Sequence, residues 1–471
     1  MSTGTLDTDQ STLDDASLRQ LGDTLRGSLL QPSDPDYEDA RKVFNAMIDR
    51  RPALIARCAG VADAIAAVRF ARANDLPVSV RGGGHNVTGS AVCNGGLVID
   101  LSGMKGLRID PVARTIRAEP GLTWGEVNQD LQTFGLAAAG GYVSTTGVPG
   151  LTLGGGLGWL VRKHGLACDN LRSADVVTAD GELVHASATE NGDLFWGLRG
   201  GGGNFGIVTS FEFDVHQAGI VLGGLVIHPL AGAREVLQFW RGFARSSPEE
   251  LTSGALLLTA PAAPFIPPEA HGAPIVAIYA VYAGSLDAGE EALRPLREFG
   301  PPVADLIQPM PYSAVQTMAD VLWPPNSLNY WKSGFLGELA DGAINALIEL
   351  FATAPSPLDS VVVEHNGDGA MSRIGPDETA FSQRAWPFNL LVTALWTDSE
   401  ETEANVGWAR RIFEAAGPYT ADAAYLNYVG DEGAGFVRTA YGERSYERLV
   451  ALKNRYDPTN FFRFNQNISP G

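Results

Sequence analysis

The feature that most constrains this chain is a concentration of glycine in three stretches, at 81–89, 140–158 and 199–206. Of the 55 glycines, 17 lie between Gly140 and Gly206. Glycine has no side chain to bury, but it tolerates positive φ and lets another group approach the backbone closely. Each stretch alone is a weak signal, and three unrelated turns are the alternative. Together they predict loops that wrap one extended ligand carrying a diphosphate.

The first stretch follows an apolar, β-branched run at 78–80 and begins Arg81-Gly-Gly-Gly-His85. A turn of this kind can direct several backbone N–H groups into one concavity, which suits an anion. Arg81 would add a fixed positive charge, and His85 would lie at the rim of the concavity. Its imidazole could then be a base, a metal ligand or a nucleophile. The alternative is a loop between strands that carries a surface histidine.

The third stretch contains Gly201-x-Gly203-x-x-Gly206, which matches the dinucleotide-binding pattern. In NAD-binding folds, that pattern follows a strand and opens a helix. Here it runs into Ile-Val-Thr-Ser-Phe-Glu-Phe, which has the alternation of a strand. The context therefore argues against an NAD site of this type.

Length and composition exclude several classes of function. The 471 residues are enough for two or three domains of roughly 100–200 residues each. No apolar run approaches the roughly 18 residues of a membrane span, and the polar N-terminus predicts a cytoplasmic protein. The cysteines, Cys58, Cys93 and Cys168, have neither disulfide-framework nor zinc-type spacing, so no metal is expected. A net charge of −20 argues against nucleic acid as a partner.

The pattern of apolar residues divides the chain into two regions. Up to about residue 217, predicted strands and helices alternate with the glycine-rich loops. They include a helix at 61–73, a hairpin around Asp110-Pro111 and a helix opened by the capping box Thr123-Trp-Gly-Glu126. From 218 to 420, strand-like runs alternate with helical ones, which predicts a second α+β domain with one sheet.

Five segments make the sequence resemble a known family. They are Arg81-Gly-Gly-Gly-His85-Asn, Gly147-Val-Pro-Gly-Leu-Thr-Leu-Gly-Gly-Gly-Leu-Gly158, residues 193–208, Tyr425-Leu-Asn-Tyr428 and residues 457–468. They are similar, in this order, to the flavin-attachment loop, the second flavin loop, the adenine-side strand, the Tyr-x-Asn element and the closing segment of vanillyl-alcohol-oxidase-type FAD enzymes. The resemblance is to the berberine-bridge-enzyme-like branch and extends from about residue 36 to 470.

The resemblance implies an α+β fold. It consists of a two-lobed FAD-binding domain of the PCMH type and an α+β substrate domain with one antiparallel sheet covered by helices. We therefore expect an N-terminal leader packed on the surface at 1–46, the FAD-binding domain at 47–217 and the substrate-binding domain at 218–420. A C-terminal segment at 421–471 would return to the FAD domain.

The resemblance also implies FAD as the cofactor, bonded covalently through its 8α-methyl group to His85. Many members of the family add a cysteinyl bond, but Val143 occupies that position, so we expect a single covalent link. The expected FAD contacts are Arg81, Gly82, Gly83, Gly84, His85, Asn86, Gly89, Val143, Ser144, Thr146, Gly147, Gly150, Gly154, Gly155, Gly156, Gly206, Ile207, Val208, Tyr425, Asn465 and Asn467.

For the reaction, the resemblance points to Tyr425 as the base that removes a proton from the substrate. A phenol titrates near 10, so this role needs a nearby positive charge, and Lys332 is the candidate. A packing role for Tyr425 and a surface position for Lys332 are the alternatives. Asn427 and Asn465 would orient Tyr425 or bond the flavin, and His365 is read as a strand-end residue. The expected substrate contacts are Tyr330, Phe388 and Asn389.

Thr146 lies where the family places its oxygen-access residue, and a small side chain there leaves room for O₂. The sequence therefore favours an oxidase that takes hydride from an alcohol, sugar hydroxyl or amine and reduces O₂ to H₂O₂. Its partners would be a small-molecule substrate and O₂, without nucleic acid or membrane. An oxygen-transferring enzyme of secondary metabolism and a flavin-binding protein without turnover remain alternatives. The sequence indicates neither the substrate nor the oligomeric state.

Overall fold

The first sheet carries the loop that holds His85. In the computed structural model, which describes residues 13–262, 266–430 and 433–471, this sheet has the strand order β1-β2-β4-β3. Strands β2, β4 and β3 are parallel, whereas β1 is antiparallel to β2. The run Leu-Val-Ile-Asp of β4 is buried throughout, as expected for a parallel strand covered on both faces. The elements are α1 (Asp15–Thr24), β1 (Ser28–Leu30), α2 (Tyr37–Ala40), β2 (Leu54–Arg57), α3 (Val61–Ala73), β3 (Val78–Arg81) and β4 (Leu97–Asp100).

The described part of the predicted N-terminal leader, residues 13–46, packs on the first sheet and adds a strand to it. Strand β1 extends the first sheet. The buried Tyr37 donates its hydroxyl to the Pro52 carbonyl at 2.6 Å. The amide of Asn45 donates to the carbonyls of Val87 and Asn329, at 2.8 and 2.9 Å. These segments are short and lack periodicity, so their burial depends on distant partners that the sequence pattern does not reveal.

The second sheet contains the hairpin predicted around Asp110-Pro111 and has the order β5-β6-β10-β8-β9, while β7 pairs with β11. The capping box is confirmed, because the Thr123 amide donates to Glu126 Oε2 at 2.9 Å and the Glu126 amide to Thr123 Oγ1 at 3.4 Å. The third glycine stretch leads into strand β10, as predicted. The elements are β5 (Leu107–Asp110), β6 (Thr115–Ala118), α4 (Trp124–Gln132), β7 (Leu136–Ala137), α5 (Val148–Leu153), α6 (Val161–His164), β8 (Leu171–Val177), β9 (Leu183–Ser187), α7 (Gly192–Leu198), β10 (Ile207–Asp214) and β11 (His216–Gln217).

The third sheet is antiparallel throughout, which confirms the predicted architecture. Its order is β15-β12-β14-β13-β18-β19-β17, and β16 also pairs with β12. Helices cover one face, where Trp240 and Trp408 pack on the sheet. The elements are β12 (Ile220–Pro229), α8 (Ala233–Ser246), β13 (Leu251–Thr259), β14 (Pro274–Tyr282), α9 (Leu286–Glu298), β15 (Ala304–Asp305), β16 (Gln308–Pro311), α10 (Tyr312–Val315), β17 (Leu328–Leu336), α11 (Asp341–Phe351), β18 (Ser360–His365), α12 (Ala370–Arg373), β19 (Phe388–Trp396) and α13 (Thr402–Ala416).

The C-terminal segment closes against the third glycine stretch through a buried ion pair. The segment contains two helices, α14 (Ala434–Tyr441) and α15 (Glu443–Tyr456). The Lys453 ammonium lies 2.7 Å from the Asp457 carboxylate and donates to the Asn204 and Phe462 carbonyls, both at 2.9 Å. The Ile468 amide donates to Asn204 Oδ1 at 3.0 Å. Residues 457–468 are thereby fixed beside the glycine-rich loop at 199–206. In the part of the chain described here, no helix is both long and apolar enough to span a bilayer.

Candidate active site

One cavity, of about 250 Å³, is lined by all three glycine stretches. The remaining walls come from β3, the turn that carries Trp323, strands β17 and β19, and the C-terminal segment. Many residues predicted to contact a cofactor or to act in the reaction do line it. They are Gly82, Gly83, Gly84, His85, Asn86, Val143, Thr146, Gly147, Gly150, Gly154, Gly206, Ile207, Val208, Asn427 and Asn465.

The first two glycine stretches touch each other backbone to backbone. A Cβ placed on Gly83 would lie 2.6 Å from the Gly147 Cα, and one placed on Gly82 would lie 2.4 Å from the Pro149 ring. Either distance is shorter than a van der Waals contact allows. Glycine is therefore required here by the close approach of the two loops, which together form one wall of the cavity.

His85 lies on this wall with its ring held from two sides. The ring stacks on Phe44, with 4.0 Å between centroids and 14° between planes, and Nε2 lies 3.3 Å from Thr145 Oγ1. The surrounding protein atoms lower the pKa of His85 to about 4, because desolvation disfavours the charged imidazolium. The imidazole is therefore neutral at pH 7, and a neutral imidazole has a nitrogen lone pair available as a nucleophile.

Seven predicted cofactor contacts do not line the cavity: Tyr425, described below, and six others whose partners explain why. Arg81 is turned toward the N-terminal region, where it donates to the Ala40 carbonyl. The Ser144 hydroxyl and amide both donate to the Asp320 carboxylate, at 2.6 and 2.8 Å. The Asn467 amide lies 3.4 Å from the Ser469 hydroxyl.

The other three of these six are glycines of the loops. Gly89 faces Ile48, and its carbonyl accepts a hydrogen bond from Arg50 at 2.7 Å. Gly155 packs against the Phe381 ring, and the Gly156 amide donates to Tyr425. These residues form the layer behind the cavity wall, so the structure does not bring them to the cavity surface.

The Tyr425 hydroxyl lies behind the glycine-rich loop and does not line the cavity. Three donors lie within hydrogen-bond distance of its oxygen and share its two lone pairs: the amides of Gly156 and Leu157 at 3.0 and 3.1 Å, and Asn427 Nδ2 at 2.8 Å. Burial raises the pKa of Tyr425, although the three donors act in the opposite direction. This geometry favours a positioning role over that of a base in contact with substrate.

Strand alternation corrects three further predictions. Successive side chains of a strand point to opposite faces, and Trp331 of β17 faces the cavity. Its neighbours Tyr330 and Lys332 therefore face the helices: Arg410 Nε donates to the Tyr330 hydroxyl at 3.1 Å, and the Lys332 ammonium lies 5.7 Å from the Phe413 ring centroid. Phe388 packs on Trp240 on the same helical side. Lys332 is thus not beside Tyr425, and neither aromatic residue lines the cavity.

Sequence reasoning missed a buried acidic group behind the cavity wall. Glu364 of β18 accepts from the Tyr428 hydroxyl at 3.0 Å and from the amides of Asn389 and Asn366 at 3.0 and 3.1 Å. Asn366 in turn accepts from the Tyr142 hydroxyl at 2.8 Å. Asn389 is therefore a partner of this acid rather than part of the cavity lining. A glutamate within the apolar run Val-Val-Val-Glu was the available signal.

His365 follows Glu364 and is confirmed as a strand-end residue. It is the last residue of β18, it is fully buried, and its Nε2 lies 3.1 Å from Asp368 Oδ2.

Comparison with known proteins places this geometry in a family. The family model described as FAD binding domain matches residues 52–187, and the model described as Berberine and berberine like matches residues 424–469. The FAD-linked oxidoreductase YgaK of Bacillus subtilis is 32% identical over 453 residues, which cover 95% of this chain and 97% of the relative. The (R)-6-hydroxynicotine oxidase of Paenarthrobacter nicotinovorans is 31% identical over 467 residues, which cover 95% of this chain and 97% of the relative.

The chain is a berberine-bridge-enzyme-like FAD-linked oxidoreductase. Solved structures agree with this assignment. The 6-hydroxy-D-nicotine oxidase of Arthrobacter nicotinovorans superposes with a TM-score of 0.85 at 28% identity, covering 95% of this chain and 98% of the other. Berberine-bridge-enzyme-like protein 1 of Physcomitrella patens gives a TM-score of 0.86 at 23% identity, covering 96% and 99%, and shares the fold.

The cavity of this oxidoreductase fits FAD. Its described lining contains no Asp, Glu, Lys or Arg, so a diphosphate there would be bound by backbone N–H groups. A Cβ on Gly150 or Gly203 would meet no protein atom within 4 Å, although both glycines line the cavity. The buried Oδ1 of Asn465 has no partner among the described residues and can accept from a ligand N–H or O–H.

The open space beside Gly150 leads to a prediction about FAD content. A Cβ at Gly150 would meet no protein atom within 4 Å, so leucine, which favours helix, should extend its side chain into the cavity. We expect Gly150→Leu to fold normally but to lower the FAD content to about a tenth or less, equivalent to about 1.4 kcal/mol or more of lost binding. Gly242→Leu, on the exposed face of α8, is the control and should keep full content. Equal flavin-to-protein absorbance ratios would contradict the placement.

Proposed function

We propose that this protein is an oxidase that carries one covalently attached FAD on His85 and uses O₂ as its electron acceptor. The observation that carries the proposal is the position of His85. Its neutral imidazole lies on the cavity wall, held between Phe44 and Thr145, where the first two glycine-rich loops meet. Val143 lines the same cavity and has no thiol with which to form a second bond.

With FAD in the cavity, His85 would hold it through a C–N bond that replaces one C–H bond of the 8α-methyl group and the imidazole N–H. The two hydrogens would leave with two electrons, and O₂ would be their acceptor, giving H₂O₂. Stacking on Phe44 restricts rotation of the ring and holds the imidazole in one orientation before the bond forms.

In turnover, FAD supplies one chemistry: it accepts hydride from a substrate C–H bond and passes the electrons to O₂. The protein excludes water, orients the substrate and removes the proton of its O–H or N–H group. The glycine-rich loops line the cavity without Asp, Glu, Lys or Arg side chains, so they form a surface that holds little water. Tyr425 holds the glycine-rich loop at Gly156 and Leu157 through its hydroxyl oxygen.

The aromatic and apolar side chains of the cavity wall indicate which class of substrate the cavity can bind. Trp331 lies 5.9 Å from Trp323 and 6.2 Å from Tyr428, measured between ring centroids, and Leu391 and Tyr142 add further apolar area. A carboxylate or phosphate on the substrate would find no cation among the described lining residues. The proposed substrate is therefore an uncharged or basic ring-containing alcohol or amine. The similarity to a relative named (R)-6-hydroxynicotine oxidase supports an amine as the substrate.

Thr146 is the reason for proposing O₂ as the electron acceptor, because its small side chain lines the cavity and leaves room for O₂. Anaerobic mixing with a panel of cyclic amines, aromatic alcohols, sugars and polyketide-like alcohols should bleach the flavin with at least one ring-containing alcohol or amine. Admitting air should then restore the oxidised spectrum rapidly and yield H₂O₂.

Slow recovery in air combined with fast reduction of a dye would instead indicate a dehydrogenase. A spectrum that returns to an oxygenated flavin would favour the oxygen-transferring alternative, and a flavin that no substrate bleaches would favour a binding protein. We retain the cytoplasm as the proposed location and a small molecule with O₂ as the proposed partners.

A further inference from the structure

A short N-terminal segment joins the first glycine stretch to the start of strand β17. The Phe44 amide donates to the Gly84 carbonyl at 3.0 Å, and the Ala46 amide donates to the Ser327 carbonyl at 3.1 Å. These residues, 44–46, form an N-terminal clasp with one end on each side of the cavity. The clasp therefore connects the predicted attachment loop with the domain that forms the opposite wall.

Asn45 is the centre of the clasp, and the protein satisfies its whole side-chain amide. It is 3% exposed, and its Nδ2 donates to the carbonyls of Val87 and Asn329 at 2.8 and 2.9 Å. Its Oδ1 accepts from the amides of Asn329 and Met47 at 3.0 and 3.1 Å. An amide supplies two N–H donors and an oxygen with two lone pairs, and all four are used here. Asn45 thereby fixes the loop that carries His85 relative to β17.

Phe44 holds the ring of His85 from this fixed position. The two rings stack with 4.0 Å between centroids and 14° between planes, and the Trp331 ring meets Phe44 edge-on at 6.0 Å and 73°. The terminal torsion of a histidine side chain has only a broad preference, so the side chain does not fix the plane of its own ring. The stack on Phe44 supplies that restraint. Phe44 lies outside the described cavity lining, so it would act on a ligand only through His85.

The plane of the imidazole matters because the lone pair of a ring nitrogen lies in it. Tilting the ring turns the lone pair away from a carbon atom in the cavity, and a misplacement of about 1 Å can slow an oriented reaction about 10²-fold. The loop itself does not depend on the clasp alone. Arg50 holds its far end by donating to the Gly89 and Val92 carbonyls at 2.7 and 3.0 Å. Loss of the clasp should therefore disturb the orientation of His85 more than the binding of FAD.

We propose that Phe44 and Asn45 are positioning residues for the covalent attachment of FAD to His85. The inference rests on the proposed function. In that step, a ring nitrogen of His85 loses its hydrogen and forms a C–N bond to the 8α carbon, which also loses one hydrogen. O₂ accepts the two electrons and two protons as H₂O₂. Phe44 keeps the lone pair of His85 directed at that carbon, and Asn45 keeps Phe44 against the imidazole.

The fraction of bound FAD that is covalent tests this assignment without any substrate. Each protein is produced with ample riboflavin and purified, its bound FAD is measured by absorbance, and the flavin that stays in a trichloroacetic acid pellet is then measured. Nearly all the flavin of the wild type should stay in the pellet. Phe44→Met keeps an apolar side chain but removes the flat ring, and we expect its covalent fraction to fall to about a tenth or less. Phe44→Tyr keeps the ring and should keep the covalent fraction of the wild type.

Two substitutions elsewhere in the chain are the matched controls. Phe239 of α8 stacks on Phe299 with 4.0 Å between centroids and 11° between planes, so Phe239→Met loses a stack of nearly the same geometry outside the described cavity lining. Asn405 of α13 is fully buried, so Asn405→Ser is the control for Asn45→Ser. Both controls should keep the covalent fraction of the wild type, whereas Asn45→Ser should lower it.

The outcomes separate this inference from the proposed function. A wild type that releases all its flavin on denaturation contradicts the proposed function. A covalent wild type with an equally covalent Phe44→Met variant contradicts this inference alone, as does a Phe44→Tyr variant attached as poorly as Phe44→Met. A folded Phe44→Met variant that no longer binds FAD also overturns it, because the clasp would then support binding rather than attachment. If Phe44→Met does not fold, the comparison of Asn45→Ser with Asn405→Ser decides.

Discussion

His85→Ala is expected to yield protein whose flavin is released completely on denaturation. The ring of His85 provides the nucleophilic nitrogen at the cavity, and Val143 offers no second point of attachment. Wild-type protein precipitated with trichloroacetic acid should give a yellow pellet, whereas the His85→Ala pellet should be colourless and its supernatant yellow. The variant should still bind some FAD before precipitation, because the glycine-rich walls of the cavity remain.

A second histidine provides the control for this experiment. His185 lies outside the cavity lining and pairs with Asp175 through its Nδ1, at 2.7 Å. His185→Ala should therefore give a pellet as yellow as that of the wild type. A yellow pellet from His85→Ala would place the covalent bond on another residue, and a colourless wild-type pellet would mean that no covalent bond exists.

Tyr425→Phe is expected to lower both stability and the rate of substrate reduction. The change leaves the amides of Gly156 and Leu157 without their acceptor in a buried position. Each unsatisfied buried donor costs about 1–3 kcal/mol, so losing the acceptor of both amides should lower the free energy of unfolding by about 2–6 kcal/mol. Movement of the glycine-rich loop should also misplace the substrate and slow flavin reduction about 10²-fold.

Denaturant titration and the pH profile separate the possible roles of Tyr425. As a positioning residue, it should give a Phe variant whose slower flavin reduction keeps the pH dependence of the wild type. Tyr312→Phe is the control, since the buried Tyr312 hydroxyl has no hydrogen-bond partner among the described residues and its loss should cost little stability. A stable Tyr425→Phe variant that has lost the pH dependence would instead identify Tyr425 as the base.

Local patterns in the sequence predicted much of the fold. Helix α3 and the hairpin of β5 and β6 depend on apolar spacing and turn residues close in sequence, and both formed as expected. The glycine stretches were also informative, because a glycine such as Gly83 is required by the close approach of another loop. Motifs that combine spacing with unusual backbone freedom therefore located the cavity.

The errors concern side chains whose direction depends on distant partners. Strand β17 was not predicted as a strand, so the alternation that separates Trp331 from Lys332 was missed. Arg81 begins the predicted loop but turns toward Ala40, about 40 residues earlier in the chain. The bond between Glu364 and Tyr428 joins residues 64 positions apart, and spacing carries no signal for such a contact.

The central claim is that a flavin is bonded to His85, and the mass of the peptide containing this residue tests it most directly. Wild-type protein produced with ample riboflavin is denatured, digested with a protease and analysed by mass spectrometry. The account predicts a peptide containing His85 that is heavier by FAD less two hydrogen atoms, with fragmentation placing the added mass on the imidazole. An unmodified peptide from protein that contains FAD would contradict it.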